Sequence, residues 1–361
     1  MFKIVSVMIF ITIFLFGCTE NIINENDQTG PKEGKILYVA ESDFTSGKVE
    51  WLADPEKETL DGEFSIYNDF VIKTYKGDLY ALERYLADNV VKFGKDSSGK
   101  WGKLYQTHIG DNVNPSDIAF VTDTSAFITC LNSDKLTKFN PATGLITGSI
   151  DLSSFIYLPE TNISPNATAI LNIDGILYIL LQRLNGYTPT RPSLIVIIDP
   201  AKEKITDTIP LKFKNGQSMA YHDGILYVCN IGEWGVTGDG ALEAITLSSG
   251  EVKTIIKEEK LGGNPTKIIM KSDKSLYLQN YISIGNTAVS EIDILSGKVK
   301  VTLPGIKEAY GICYDSESNL LYVGERDKES MGVKVFKDNV QVGPVRKSGN
   351  SLPPMELLIV E

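Results

Sequence analysis

The five residues DGILY occur at Asp174–Tyr178 and again at Asp223–Tyr227, and this repetition decides the fold. Looser copies of the same element continue the series in both directions. The copies begin at Leu37, Leu79, Ala126, Leu177, Leu226, Leu276 and Leu321, which are 42, 47, 51, 49, 50 and 45 residues apart. A period of this size is the signature of a repeat protein, in which each repeat is one small unit that packs on its neighbours.

Each repeat contains four short apolar segments in the same order. The first opens on small or polar residues, as in NPTKIIMK from Asn264, and the LY element is the second. The third ends in Asp or Asn and a turn, as in SLIVIIDPAKE from Ser193, and the fourth resembles KITDTIPL from Lys204. Segments rich in Val, Ile, Tyr and Thr between Gly, Asp and Asn turns are typical of β-strands. Seven such units predict an all-β fold, a seven-bladed β-propeller of four-stranded antiparallel blades.

The two ends of the repeat region predict how the ring is closed. The first repeat begins at Gly34 without an inner strand, whereas the chain ends in an extra strand, Pro353–Glu361. We expect this C-terminal strand to become the inner strand of the first blade. Closure of this kind removes the free strand edges that would otherwise promote aggregation.

The N-terminal segment predicts export. One lysine, Lys3, precedes 13 mostly apolar residues, Ile4–Phe16, which are too few for a permanent membrane span and suit a signal peptide. The sequence LFGC at Leu15–Cys18 resembles the bacterial lipobox, in which the cysteine is lipidated. We therefore expect a lipoprotein signal peptide at 1–18, a polar tether at 19–33 and a propeller domain at 34–361. The alternatives are an uncleaved anchor or ordinary cleavage.

The repeats also resemble a known family. The segments NPSDIAF from Asn114, LYVCN from Leu226, FNPATG from Phe139 and IIDPAKEK from Ile197 are similar to the YVTN-type β-propeller repeat. With the lipobox, the chain resembles the YncE-like and surface-layer-type propeller lipoproteins of Bacteroidetes and related bacteria. The resemblance implies a propeller anchored by lipid, in the outer membrane, with the side of the envelope left open. Some members capture vitamin or cofactor ligands and others have no assigned role, so it implies no particular ligand.

Charge and cysteine content exclude several classes of function. The chain carries 35 Lys and Arg against 46 Asp and Glu, a net charge of −11, which argues against nucleic-acid binding. The widely spaced Cys130, Cys229 and Cys313 suit buried apolar positions better than a disulfide framework. His108 and His222 are the only histidines and lie far apart in sequence, so the usual three- or four-ligand zinc site is not expected. No cofactor is predicted.

Loop lengths predict which face of the ring binds a ligand. Connections between the first and second strands and between the third and fourth are minimal turns, which define the tight-turn face. The other connections define the long-loop face and include Ser153–Asn166, Gln182–Ser193 and Asn230–Gly240. Functional residues concentrate in loops held by a rigid scaffold. The candidate ligand-binding residues on this face are Arg84, Tyr85, Arg183, Tyr187, Asn230, Trp234, Asn280, Tyr281, Glu325 and Arg326.

Each candidate has a structural alternative. Trp234 could pack against a neighbouring blade, and the polar residues could tie loops together. Asn114, Asn166 and Asn264 recur at the start of inner strands, where they are turn residues first and weak candidates for a calcium site second. If the long loops form one wall of a site, Trp234 and Arg183 should approach each other across its mouth and bind a flat, polar or anionic ligand.

Two functions remain after these exclusions. The favoured one is a lipid-anchored binding protein that captures a small polar ligand or docks a protein of the cell envelope. The alternative is a propeller hydrolase or lyase, similar to the lactonases, with a divalent metal at the mouth of the channel. Because no acid or base converges with metal ligands in the sequence, binding is preferred over catalysis.

Overall fold

In the described part of the chain, twenty-eight strands form seven four-stranded antiparallel sheets arranged as the blades of a ring. The structure is a computed structural model, and it describes residues 30–31, 34–54, 57–347 and 352–360. The predicted seven-bladed β-propeller is therefore confirmed. Cys18, with the predicted signal peptide and most of the tether, lies outside the described residues.

Each blade runs from an inner strand at the axis of the ring to an outer strand at its rim. Blade 1 contains β28 (Pro354–Val360), β1 (Ile36–Ser42), β2 (Gly47–Leu52) and β3 (Gly62–Ile66), in that order from the inside. Blade 2 contains β4 (Phe70–Tyr75), β5 (Asp78–Glu83), β6 (Asn89–Lys95) and β7 (Trp101–His108). Blade 3 contains β8 (Pro115–Thr122), β9 (Ser125–Cys130), β10 (Lys135–Asn140) and β11 (Leu145–Asp151). A short 3-10 turn, Ser153–Phe155, follows it.

The remaining blades have the same order. Blade 4 contains β12 (Ala167–Ile173), β13 (Ile176–Leu181), β14 (Pro192–Asp199) and β15 (Lys204–Lys214). Blade 5 contains β16 (Gly216–His222), β17 (Ile225–Asn230), β18 (Ala241–Thr246) and β19 (Glu251–Lys257), and one helical turn, α1 (Glu258–Leu261), follows it. Blade 6 contains β20 (Asn264–Ser272), β21 (Ser275–Ser283), β22 (Asn286–Asp293) and β23 (Lys298–Thr302). Blade 7 contains β24 (Ala309–Asp315), β25 (Leu320–Glu325), β26 (Gly332–Lys337) and β27 (Val340–Gln341).

The ring is closed by the C-terminal strand, as the sequence predicts. β28 pairs with β1 in antiparallel register, with Tyr38 opposite Leu358. Leu357 on β28 is buried in a cluster with Val39 of its own blade and Cys313 of blade 7. The last strand of the chain thus joins blade 1 to blade 7, and the inner position of blade 1 is filled.

Most of the core lies between blades. One cluster combines Phe127 of blade 3 with Ile179 and Val196 of blade 4, and similar clusters join other neighbours. Cys130, Cys229 and Cys313 are buried and unpaired with one another. Burial raises the pKa of Cys130 to about 12, which keeps its thiol protonated and unreactive.

The DGILY element is a two-residue hairpin turn. Asp174 and Gly175 have φ values of 51° and 82°, and Asp223 and Gly224 have 44° and 79°. Two consecutive residues with positive φ are typical of a type I′ turn, for which Asp-Gly is a preferred sequence. The turn recurs because blades 4 and 5 make the same tight connection between their first two strands.

The chain enters the propeller on the tight-turn face. Ile36, the first residue of β1, lies opposite Val360, the end of the inner strand β28. That end of the inner strand lies on the side of the DGILY turns, and the loops 182–191 and 231–240 lie on the other side. Among the described residues no helix has the length and apolar character that a bilayer span requires.

Candidate binding site in the axial channel

The inner strands of all seven blades line a cavity of about 570 Å³ along the axis of the ring. Toward the long-loop face its wall is polar and contains Ser116, Thr168, Gln182, Gln217, Thr266 and Arg84. Toward the tight-turn face it contains the apolar or aromatic Leu171, Ile269, Tyr314 and Ile359. Sites for small ligands are concave, have volumes of about 300–1,000 Å³ and combine an apolar wall with a few placed polar groups.

Four charged side chains converge inside this cavity. Lys73 Nζ lies 3.0 Å from Asp117 Oδ1, and Lys267 Nζ lies 3.1 Å from Glu356 Oε1. The four residues come from blades 2, 3, 6 and 1, respectively. These two pairs offer two ammonium groups and two carboxylates whose charges balance, and Arg84 adds a guanidinium to the wall.

The carboxylates also join neighbouring blades. Asp117 Oδ2 accepts the backbone N–H of Ile170 at 3.0 Å, and Glu356 Oε2 accepts that of Ile72 at 2.9 Å. In each case the donor belongs to the inner strand of the next blade. Each carboxylate thus holds two blades in register with one oxygen and keeps the other toward an ammonium group in the channel.

One partner of each ion pair has a pKa that is shifted toward its charged form. Attraction to Asp117 raises the pKa of Lys73 despite the opposing effect of burial, and Glu356 adds to the increase. Burial alone would raise the pKa of Glu356, but the charges of Lys267 and Lys73 and the Ile72 N–H outweigh it and hold that pKa below its usual range. A lysine ammonium has three donors. Since each lysine has one carboxylate partner in the cavity, both keep donors for a ligand.

Blades 4 and 5 give the cavity a neutral, hydrogen-bonding side. Gln182 Nε2 donates to Asn215 Oδ1 at 2.8 Å and to Gln217 Oε1 at 3.3 Å. These bonds fix the side-chain amides of Gln182 and Gln217 at the mouth. Thr168, near the start of the inner strand of blade 4, lines the same cavity. The cavity therefore has two different sides, one with paired charges and one with neutral amides and hydroxyls.

The loop aromatics lie outside this cavity. Trp234 is 54% exposed and packs edge-on against Tyr281 of the next blade, with ring centroids 5.0 Å apart at 89°. Tyr187 is 97% exposed at the tip of its loop, and Tyr85 is also exposed. The ring that Trp234 contacts is therefore Tyr281, and the expected approach of Trp234 to Arg183 is not among the contacts of the described residues.

The three predicted arginines have different environments. Arg84 lies in the cavity wall, with Nε 3.4 Å from Asp69 Oδ1. Arg326 donates to the carbonyls of Pro354 and Ser42 at 3.1 and 3.2 Å and so ties blade 7 to the closing strand. The guanidinium of Arg183 has no hydrogen-bonded or acidic partner among the described residues, and burial together with the charge of Arg191 lowers its pKa.

Three of the predicted polar residues are interior groups. Asn230 and Glu325 are fully buried at the ends of β17 and β25, and Asn280 is fully buried within β21. Glu325 accepts backbone N–H groups from residues 307 and 308 at 2.9 and 2.7 Å and an ammonium from Lys334 at 3.0 Å. Asn230 donates to Glu243 at 3.0 Å, and Asn280 donates to the carbonyl of residue 261 at 3.3 Å. Glu325 and Asn280 thus tie their blades to the segments that connect them, and Asn230 joins two strands of blade 5.

The recurrent asparagines make turns. The Oδ1 atoms of Asn114, Asn166 and Asn264 accept backbone N–H groups of residues 85, 184 and 235 at 3.4, 3.0 and 3.0 Å. Asn114 and Asn166 have φ values of 53° and 57°, the left-handed conformation that asparagine tolerates. Their oxygens therefore hold the long loops onto the start of the inner strands.

Sequence reasoning missed the charged residues of the channel, although a signal exists. Asp117, Lys267 and Glu356 each lie two residues after a proline that opens the inner strand, as in Pro115-Ser116-Asp117. A β-bulge follows each of these prolines. A bulge re-aims the next side chain. A charged residue at this place in an otherwise apolar inner strand marks the channel.

Comparison with known proteins supports the fold and no narrower assignment. No family model and no curated protein matches the sequence. The solved structure of apo AztD from Citrobacter koseri has a TM-score of 0.58 at 10% identity and covers 90% of this chain and 98% of its own. A functionally unknown protein from Desulfotomaculum acetoxidans has a TM-score of 0.62 at 13% identity, with 91% and 99% covered. Dihydro-heme d1 dehydrogenase NirN in complex with DHE has a TM-score of 0.58 at 13% identity, with 93% and 77% covered.

These likenesses show that the chain shares a fold with proteins of different function. At 10–13% identity they carry no ligand or activity to this chain. The resemblance of the repeats to the YVTN and YncE-like family remains a prediction.

Proposed function

We propose that this protein is a lipid-anchored binding protein of the cell envelope that captures a small polar ligand in its axial cavity. The observation that carries the proposal is the convergence of two ammonium–carboxylate pairs in a cavity of about 570 Å³. Paired charges together with separate neutral donors and acceptors suit a zwitterionic or multiply hydroxylated molecule. Such a ligand satisfies both charge types and leaves no buried charge unpaired.

The direction of the chain supports entry from the long-loop face. Residues 19–33, a tether that would span very roughly 20–25 Å as a coil, lead to β1 on the tight-turn face. An anchor at Cys18 would therefore turn the tight-turn face toward the membrane. The polar mouth of the cavity would then face away from the bilayer, where a ligand can reach it.

The test is native mass spectrometry of the protein purified from its own host. We expect one bound small molecule per chain in the wild type and none in Thr168→Trp, which fills the mouth of the cavity. Thr147→Trp, an exposed change on the outer strand β11, is the matched control and should keep the ligand. Equal ligand content in both variants would refute the axial site.

Docking of an envelope protein is the second candidate. Exposed apolar side chains project from several loops of the long-loop face: Tyr85, Ile163, Tyr187, Trp234 and Ile284. Exposed apolar surface of this kind is common at protein–protein interfaces. Because these tips surround the mouth, a docked protein would cover the axial cavity. Cross-linking in the intact envelope from residue 187 would identify such a partner.

A further inference from the structure

Two tight turns of neighbouring blades bring three metal-ligating side chains together on the tight-turn face. His222 and Asp223 belong to the β16–β17 turn of blade 5, and Asp273 belongs to the β20–β21 turn of blade 6. His222 Nε2 lies 2.9 Å from Asp273 Oδ1 and 3.7 Å from Asp223 Oδ2. One ligand atom from each of the three lies within 4.8 Å of the others.

These separations are close to those that a metal imposes. Nitrogen and oxygen ligands bind zinc at about 2.0–2.2 Å, so ligand atoms on one ion are roughly 3–3.5 Å apart. The side chains of Asp223 and Asp273 are mostly exposed, and that of His222 is partly exposed. Rotation of exposed side chains can bring the three atoms to this spacing without moving the backbone.

The backbone that carries the ligands is fixed. Asp223 and Gly224 form the type I′ turn described above, and the carbonyl of Gly224 accepts the N–H of Leu247 at 2.9 Å. Asp273 lies at the corresponding position one repeat later, in the two-residue turn between the paired residues Ser272 and Ser275. Two rigid hairpins of adjacent blades therefore hold the ligand positions, a form of preorganisation that favours binding.

From this geometry we propose that His222, Asp223 and Asp273 form a site for a divalent transition-metal ion such as Zn²⁺. An imidazole suits zinc and related transition metals, whereas Mg²⁺ and Ca²⁺ prefer all-oxygen sites. Three protein ligands on an exposed turn leave at least one position of the ion for water. On binding, the ion replaces the proton on Nε2 and the ring proton resides on Nδ1, which makes no hydrogen bond to the described residues.

The same atoms would also form a simple ion pair between blades, and a matched pair of variants separates the two roles. Glutamine at position 222 can still donate a hydrogen bond to Asp273 but is a poor zinc ligand. The other histidine is the control: His108 Nε2 lies 3.0 Å from Asp111, and His108 belongs to no such three-ligand group among the described residues. The buried thiols of Cys130, Cys229 and Cys313 are not accessible competitors.

The experiment is calorimetric titration of zinc chloride into the chelator-treated full-length protein in detergent. We expect one Zn²⁺ per chain in the wild type and unchanged affinity in His108→Gln. Affinity should fall more than about tenfold in His222→Gln and in Asp273→Asn, because loss of a supporting partner alone costs about 10–100-fold and loss of a direct ligand should cost more. A wild type without a 1:1 site would overturn the proposal, as would wild-type affinity in His222→Gln. The axial cavity plays no part in this test, so the result is independent of the function proposed above.

Discussion

Glu356 Oε2 accepts the backbone N–H of Ile72 at 2.9 Å, a contact between residues 284 positions apart in the chain. The other oxygen of Glu356 lies 3.1 Å from Lys267 Nζ. One side chain thus joins the closing strand to blade 2 and charges the wall of the axial cavity. Ring closure and the candidate site share a residue.

Glu356→Ala should therefore destabilise the fold. It leaves the Ile72 N–H and the Lys267 ammonium without their acceptor, and a buried donor without a partner costs about 1–3 kcal/mol. Urea unfolding of wild type and variant measures the change. The control is Glu317→Ala, which removes an exposed ion pair with Lys35 and should cost under about 1 kcal/mol. Equal losses of unfolding free energy in the two variants would contradict the role of Glu356 in joining blades 1 and 2.

Leu357→Ala tests closure by packing. Leu357 is 2% exposed between blades 1 and 7, and truncation of a buried leucine costs about 2–5 kcal/mol. Leu295→Ala, at a 75% exposed position, should change stability by less than about 0.5 kcal/mol. Both are read from the midpoint of thermal unfolding. A melting temperature that is the same in the two variants would mean that β28 adds little to the ring.

The protein should lose stability in acid through Glu291. Burial alone would raise the pKa of Glu291, but Lys300, Asn339 and Lys271 outweigh it and lower this pKa from 4.5 to about 2. Because the folded-state pKa lies below the unfolded value, the stabilisation is complete above about pH 4.5 and disappears as the pH falls toward 2. The decrease in the pKa of Glu291 corresponds to about 3 kcal/mol of the free energy of unfolding at neutral pH.

Glu291→Gln is the comparison for this effect. The difference in unfolding free energy between wild type and variant should be largest at pH 7 and shrink between pH 4.5 and 2. Urea titrations at several pH values measure it. A difference that stays constant over this range would rule out the charge of Glu291 as its source.

Cys18→Ser should release the protein from the membrane fraction into the soluble fraction, because it removes the proposed site of lipid attachment. Fractionation of host cells followed by immunodetection measures the distribution. Thr19→Ser, next to the lipobox and outside it, should leave the protein membrane-bound. Retention of the Cys18→Ser variant in membranes would show that lipid on this cysteine is not the sole anchor.

Trp234→Ala should leave the fold nearly unchanged. Trp234 is half exposed and contacts Tyr281 edge-on, so removal of its ring costs about 1 kcal/mol, the scale of one aromatic pair. Trp51→Ala, at a buried site 4.9 Å from the Phe64 ring, should cost about 3–5 kcal/mol. A large drop in melting temperature for Trp234→Ala would show that Trp234 is a packing residue. It would then no longer be the main aromatic candidate for binding on the long-loop face.

The sequence alone determined the architecture. The period of the LY element, the Asp-Gly turns and the unpaired strand at Pro353–Glu361 are local or periodic features, and they are sufficient to predict seven blades and their closure. The same features separate the tight-turn face from the long-loop face, because loop length is read directly from the chain. The architecture can be predicted because the same sequence pattern recurs in every blade.

The sites required the tertiary structure. Lys73, Asp117, Lys267 and Glu356 are single charged residues in four different repeats, and only the ring places them around one axis. His222 and Asp273 are 51 residues apart, one repeat, and each looks like an ordinary turn residue. A repeat fixes where a residue lies in its own blade, but which side chains meet across blades depends on strand register, on bulges and on the angle at which each blade faces the axis. Those are properties of the packed ring, in which contacts form between residues that the chain keeps far apart.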